Sequence, residues 1–122
     1  MFWNLDDNKA IYQQLADEVR RRIVTGVYPA GEYLPSVRDL ASEARVNPNT
    51  MQRALAQLES EGFLTTQRGN GRIISMTDEA ILEEKRRVAR QKLLACVEEL
   101  HALDLGDQEI RALLRELLKG EE

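Results

Sequence analysis

The chain has little of what redox and metal chemistry require. Its 122 residues include one cysteine, Cys96, and one histidine, His101. A lone cysteine excludes an intramolecular disulfide, and no cluster of thiols and imidazoles is present to hold zinc. A nucleophile–base pair would have to come from Cys96 and His101 alone, or from carboxylates, so no enzyme and no cofactor are expected. No apolar run approaches the ~18–20 residues that cross a bilayer. The N-terminal stretch Met1-Phe2-Trp3-Asn4-Leu5-Asp6-Asp7 lacks the basic and apolar regions of a signal peptide, so a cytoplasmic address without membrane contact is expected.

What is present suits one compact domain with a short appendage: 43% of residues are hydrophobic and 31% charged. Charge is unevenly spread. Residues 1–76 carry nine basic and nine acidic residues, whereas 77–122 carry eight and twelve, which accounts for the net −4. An acidic chain argues against nucleic-acid binding when taken whole. Taken by segment the objection weakens, because the arginines of the neutral part can cluster on one face.

Periodicity predicts a helix over 9–25, with Ile11, Tyr12, Leu15, Val19 and Ile23 on one face. Asp7 or Asn8 can cap its start, and Gly26 suits the position after its end. Glu32-Tyr33-Leu34 is a candidate short strand halted by Pro35. Ser36 to Asp39 reads as a capping box that opens a helix to about Glu43. Asn47 and Pro48 restart a helix that runs to Glu61 and stops at Gly62. Only a few residues separate these two helices, which is the helix-turn-helix arrangement. Two β-prone runs, 63–67 and 72–76, flank Arg68-Gly69-Asn70-Gly71, whose glycines and asparagine supply the positive φ of a hairpin loop. The fold class expected is mainly α (α+β): a winged helix-turn-helix domain over 1–76, then a helical tail over 77–122.

Candidate DNA-reading residues lie on three elements. On the helix from Asn47, the side chains Met51, Ala54, Leu55 and Leu58 face the core. Asn49, Gln52, Arg53, Ala56 and Ser60 form the opposite, polar side. Asn and Gln can bond an adenine edge and Arg a guanine; a plain solvated face is the alternative. Arg38 sits near the start of the preceding helix, where free N–H groups also favour phosphate; an ion pair with Asp39 or Glu43 is the alternative. Arg68 beside the glycine loop suits a narrow minor groove, and Arg72 on the returning strand can meet a phosphate. An ordinary exposed hairpin is the alternative there.

The strings Ile11-Tyr12-Gln13-Gln14-Leu15, Gly31-Glu32-Tyr33-Leu34-Pro35-Ser36-Val37-Arg38-Asp39-Leu40-Ala41, Val46-Asn47-Pro48-Asn49-Thr50-Met51-Gln52-Arg53-Ala54-Leu55 and Leu58-Glu59-Ser60-Glu61-Gly62-Phe63-Leu64 occur in order. Over about residues 9–76 the chain thereby resembles the DNA-binding domain of GntR-family bacterial transcription regulators. The Asn47-Pro48-Asn49-Thr50 variant and the short tail resemble its YtrA-like subfamily. The resemblance implies a homodimer on an inverted-repeat operator of double-stranded DNA. It implies DNA contacts from Arg38, the arginine of the Leu-Pro-Ser-x-Arg motif, from Asn47, Asn49, Thr50, Gln52 and Arg53, and from Arg68, Gly69 and Asn70; Ser36 and Arg72 are candidate contacts beside them. Many relatives carry Arg where Pro48 and Gln52 stand, so a different operator and a less charge-driven affinity are expected. Arg45 occupies a turn position that is often Gly; it is strained there if φ is positive, or is itself a phosphate contact.

The tail reads as a long helix from about Asp78 to Leu103, with Leu82, Ala89, Leu93, Cys96, Val97, Leu100 and Leu103 on one stripe. A last helix, capped by Asp107, carries Ile110, Leu113, Leu114, Leu117 and Leu118. These leucines are the natural dimer interface; a cap on the winged domain of the same chain is the alternative. Cys96 reads as a small apolar-stripe residue rather than a sensor, and His101 as a helix-end residue rather than a ligand. Phe2 and Trp3 can pack on the first helix, on the tail, or around a small pocket. The expected function is a dimeric, sequence-specific transcription regulator, of repressor type. A small-molecule effector is left open, acting at the junction near Ser75–Ala80. A winged-helix protein–protein adaptor that uses the acidic tail is the alternative, since fold alone does not decide function.

Overall fold

The computed structural model describes residues 3–119; Phe2 lies outside them. Helix α1 (Ile11–Val24) forms because Leu15, Ala16, Val19 and Ile23 recur at helical spacing and are all buried. Its start differs from expectation. Neither Asp7 nor Asn8 caps it; Ala10 holds the cap position without a side-chain bond. The Gln14 amide ties down the incoming chain instead, accepting from the Asp6 N–H and donating to the Asp6 carbonyl, both at 2.7 Å.

Helix α2 (Val37–Ala44) is capped by Ser36, whose Oγ accepts from the Asp39 N–H at 3.0 Å. Among the described residues the Asp39 carboxylate does not return the bond, so half of the expected capping box is formed. The chain leaves α2 through Arg45 at φ 59, ψ 48. The Val46 N–H then reaches back to the Ala41 carbonyl at 3.0 Å, and Val46 packs on the core. A non-glycine residue in this left-handed region carries strain, as the sequence had suggested for this position. Helix α3 (Pro48–Ser60) follows, with Asn47 Oδ1 accepting from the Asn49 N–H at 2.7 Å and Pro48 in the first turn. It buries Met51, Ala54, Leu55 and Leu58, the face read from the sequence.

Strands β1 (Leu64–Gln67) and β2 (Gly71–Ile74) pair antiparallel, with Leu64 opposite Ile74 and Thr66 opposite Arg72. The connecting loop depends on glycine: Gly69 and Gly71 have φ of 78° and 91°. The expected strand at 32–34 is present as a bridge of Tyr33 to Ile73, with the Leu34 N–H bonded to the Arg72 carbonyl. Leu34, Phe63, Leu64 and Ile74 join the helices in one hydrophobic core.

One charge lies in that interior. Arg22 is fully buried, donating from Nε to Glu18 at 2.9 Å and from Nη1 to Tyr28 at 2.7 Å and Glu43 at 3.0 Å. The Trp3 ring stacks on its guanidinium at 4.2 Å and donates from Nε1 to Glu43 at 2.7 Å. Trp3 thus bridges the segment before α1 to α2.

The chain divides into two compact units, Met1–Glu84 and Lys85–Glu122. Helix α4 (Asp78–Ala102) starts in the first, where Ile81 packs on the core. Leu82, on the stripe expected to be apolar, is 47% exposed. In the second unit Asp104 turns the chain at φ 67 into α5 (Asp107–Lys119). Asp107 is not the cap it was expected to be. The Gly106 N–H bonds the Glu109 carboxylate at 2.9 Å, and Asp107, in the first turn, meets His101 Nε2 at 2.7 Å. That contact holds the Asp107 carboxyl below its ordinary range. No side chain of α4 or α5 is buried within the chain, Cys96 included.

Candidate nucleic-acid interface

Three elements bring the sequence-predicted residues to the surface. The first is the start of α2, with Ser36 and Arg38 exposed. The Ser36 oxygen is engaged as a cap, leaving its O–H as donor. Arg38 forms no ion pair among the described residues. Glu43, one of its suggested partners, is occupied by Trp3 and Arg22.

The second is the outer face of α3. Asn49, Gln52 and Arg53 are exposed and Thr50 is half-buried. Asn47 spends its side-chain oxygen on the Asn49 N–H, which leaves its NH2 group available. Arg53 lies over the Tyr12 ring, 3.7 Å from its centroid. This partner was not foreseen, because residue spacing says nothing about a contact between α1 and α3. Stacking neutralises no charge and leaves the guanidinium edge free to donate.

The third is the hairpin tip, where Arg68, Gly69 and Asn70 are all exposed. Arg72 behaves differently from the others. Its side chain is 13% exposed and its Nε lies 3.2 Å from Glu59 Oε1 on α3. Glu59, missed in the sequence reading, also accepts from the Thr66 N–H at 3.0 Å and the Thr66 hydroxyl at 2.8 Å. The Thr66 hydroxyl, then Arg72, hold the Glu59 carboxyl below its usual range against the opposing effect of burial. Glu59 and Thr66 thereby clamp the hairpin to α3.

Sorting the arginines of the winged domain by partner isolates a surface. Arg20 pairs with Asp17 and Glu61, Arg21 with Glu18, Arg22 with Glu18 and Glu43, and Arg72 with Glu59. Arg38, Arg45, Arg53 and Arg68 have no carboxylate partner among the described residues. Those four belong to the start of α2, the α2–α3 turn, α3 and the hairpin tip. A domain with no net charge therefore keeps its unpaired arginines on the helix-turn-helix and wing. Among the described residues no group of three or more His, Cys, Asp or Glu could hold a metal ion. No described helix is long and apolar enough to cross a membrane.

Two helices joined by a three-residue turn, the second backed by an antiparallel hairpin, define a winged helix-turn-helix domain. Residues 11–74 match the family model for bacterial regulatory proteins of the gntR family. The chain is 34% identical over 113 residues to the HTH-type transcriptional regulator YhcF of Bacillus subtilis, covering 93% of each. It is 31% identical to the HTH-type transcriptional repressor YtrA of the same organism, covering 88% of this chain and 83% of YtrA. A GntR-family transcriptional regulator from Listeria monocytogenes superposes with a TM-score of 0.85 at 36% identity, over 92% of this chain and 98% of that one. The chain belongs to the GntR family of transcriptional regulators, with YtrA and YhcF among its homologues, and is not an enzyme.

Proposed function

We propose that two copies of this chain bind an inverted-repeat operator in the cytoplasm and repress transcription from it. The observation that carries the reading is the confinement of unpaired arginines to the helix-turn-helix and wing. In this reading α3 enters the major groove, with Asn49, Gln52 and Arg53 at base edges and Asn47 and Thr50 at its rim. Arg38 and the free N–H groups at the start of α2 take phosphates, Ser36 adding its O–H. Arg68, Gly69 and Asn70 approach the adjacent minor groove, where the missing Cβ of Gly69 allows close backbone approach.

The tail supports self-association. Leu82, Leu93, Leu113, Leu114 and Leu117 are 44–77% exposed, more apolar surface than a free helix pair keeps in water. Ala89, Cys96, Val97, Leu100 and Ile110 extend the same apolar content. Burying about five such side chains per chain contributes several kcal/mol at ~1.5–3 each, before ordering costs. Repression follows the likeness to YtrA and the simple consequence of occupying DNA that polymerase needs.

The test is selection of bound duplexes from random-sequence DNA by the purified chain. An enriched inverted repeat with half-sites about one helical turn apart, ~34–36 Å, is the expected result. Enrichment of a single half-site would overturn the dimer. No enrichment would overturn operator binding and favour an adaptor working through its tail.

A further inference from the structure

Gln52 and Glu59 stand seven residues apart on α3, two turns along nearly the same face. Arg72, reaching across from β2, lies between them. Its Nε faces Glu59 Oε1 at 3.2 Å and its Nη1 faces Gln52 Oε1 at 3.5 Å. The second distance is long for a hydrogen bond, so the contact orients Gln52 more than it binds it. Three physical consequences follow. The Arg72 charge is already matched by Glu59. With 13% of its side chain exposed, Arg72 is poorly placed to reach a phosphate, unlike exposed Arg68. A guanidinium has donors only, so it can face the oxygen of the Gln52 amide and never the nitrogen.

We propose that Arg72 is a positioning residue for sequence reading: it holds the Gln52 carboxamide with the oxygen turned toward the wing and the NH2 offered to the groove. Gln52 then donates to acceptors on a purine edge, N7 of either purine or O6 of guanine. Arg72 makes no phosphate contact of its own. This revises the phosphate role expected for Arg72 from the sequence, and it rests on the DNA-binding reading above.

The test uses the full-length protein and the selected operator. Gln52→Ala first identifies the base pair that Gln52 reads, as the position where base preference is lost. Arg72→Lys and Arg72→Met are then measured at that position and across a salt series. Lysine keeps the charge and the partner Glu59, but one ammonium cannot reproduce the two-nitrogen bridge, so folding is retained while the orientation is lost. Both variants are expected to cut the preference at the Gln52 position several-fold. The slope of log affinity against log salt stays at the wild-type value in Arg72→Lys, which keeps the charge opposite Glu59. Adding Gln52→Ala to either variant removes only the preference that remains, so the double variant matches Gln52→Ala alone.

A phosphate contact gives the opposite pattern: Arg72→Lys resembles wild type, and Arg72→Met weakens all sequences alike and lowers the slope by about one. That result overturns the proposal, as does unchanged preference in both variants, or a change confined to a different base pair. If the wild-type chain selects no sequence at all, the DNA-binding reading fails first and this inference falls with it. A selected operator with an indifferent Arg72 sinks this inference alone.

Discussion

Replacing Arg22 with alanine tests whether the buried charge network holds the winged domain together. Arg22 has no exposed side-chain surface, whereas its partners Glu18 and Glu43 are 20% and 43% exposed. The variant loses bonds to two carboxylates and to the Tyr28 hydroxyl, and the stacking of Trp3. A hydrogen bond to a charged group contributes ~1.5–3 kcal/mol. The full penalty of a stranded buried charge does not apply, because Glu18 keeps Arg21 and Glu43 keeps Trp3, and both reach water. The expected loss is about 2–4 kcal/mol, or ~10–20 °C in melting temperature for a unit of this size. Arg22→Met fills the space without the charge and should lose about half as much, since apolar replacement of a buried ion is cheap.

The deficit depends on pH with a definite sign. The Arg21 hydrogen bond, then Arg22, lower the Glu18 carboxyl, and the Trp3 hydrogen bond, then Arg22, lower Glu43; burial opposes both. A carboxyl lowered by folding stabilises fully above its ordinary value of 4.5 and loses that contribution as pH falls through its folded value. Urea unfolding followed by circular dichroism should therefore show the Arg22→Ala deficit complete at pH 7 and shrinking below about pH 4.5. A deficit under ~0.5 kcal/mol at pH 7, or one that grows on acidification, would show that the Arg22 network does not hold the winged domain together.

Three further outcomes are expected. Asn47→Ala removes the cap of α3 and costs about 0.5–2 kcal/mol by urea unfolding, while Asn47→Asp retains stability. Arg38→Ala and Arg68→Ala leave the thermal melt unchanged but weaken operator binding, each lowering the salt slope by about 0.9. Leu114→Asp with Leu117→Asp separates the copies, read as a halved mass by sedimentation, and weakens operator binding at the same protein concentration.

Local signals carried most of the fold. Ser36 and Asn47 announce two helix starts because a capping side chain bonds an N–H two or three residues away, so the whole interaction lies within one short string. The glycines at 69 and 71 announce the hairpin for the same reason, and the spacing of Met51, Leu55 and Leu58 exposes the buried face of α3. Features built from distant residues were not legible. Trp3, Arg22 and Glu43 meet only after α1 and α2 are packed, and nothing in their spacing foretells it. Tyr12 under Arg53 and Glu59 against Arg72 are likewise products of tertiary structure, which is why Arg72 read as a free cation. Smaller errors arose where two local solutions compete. Gln14 serves the loop before α1 in place of a cap from Asp7 or Asn8, and Glu109 closes the first turn of α5, freeing Asp107 for His101.

In the proposed complex two copies present paired α3 surfaces, with arginine-tipped hairpins, to one face of a duplex. The most direct measurement is affinity for the selected operator after about five base pairs, half a helical turn, are inserted between its half-sites. Binding is expected to fall toward that of unrelated DNA. Undiminished affinity for the half-turn insertion would contradict that arrangement.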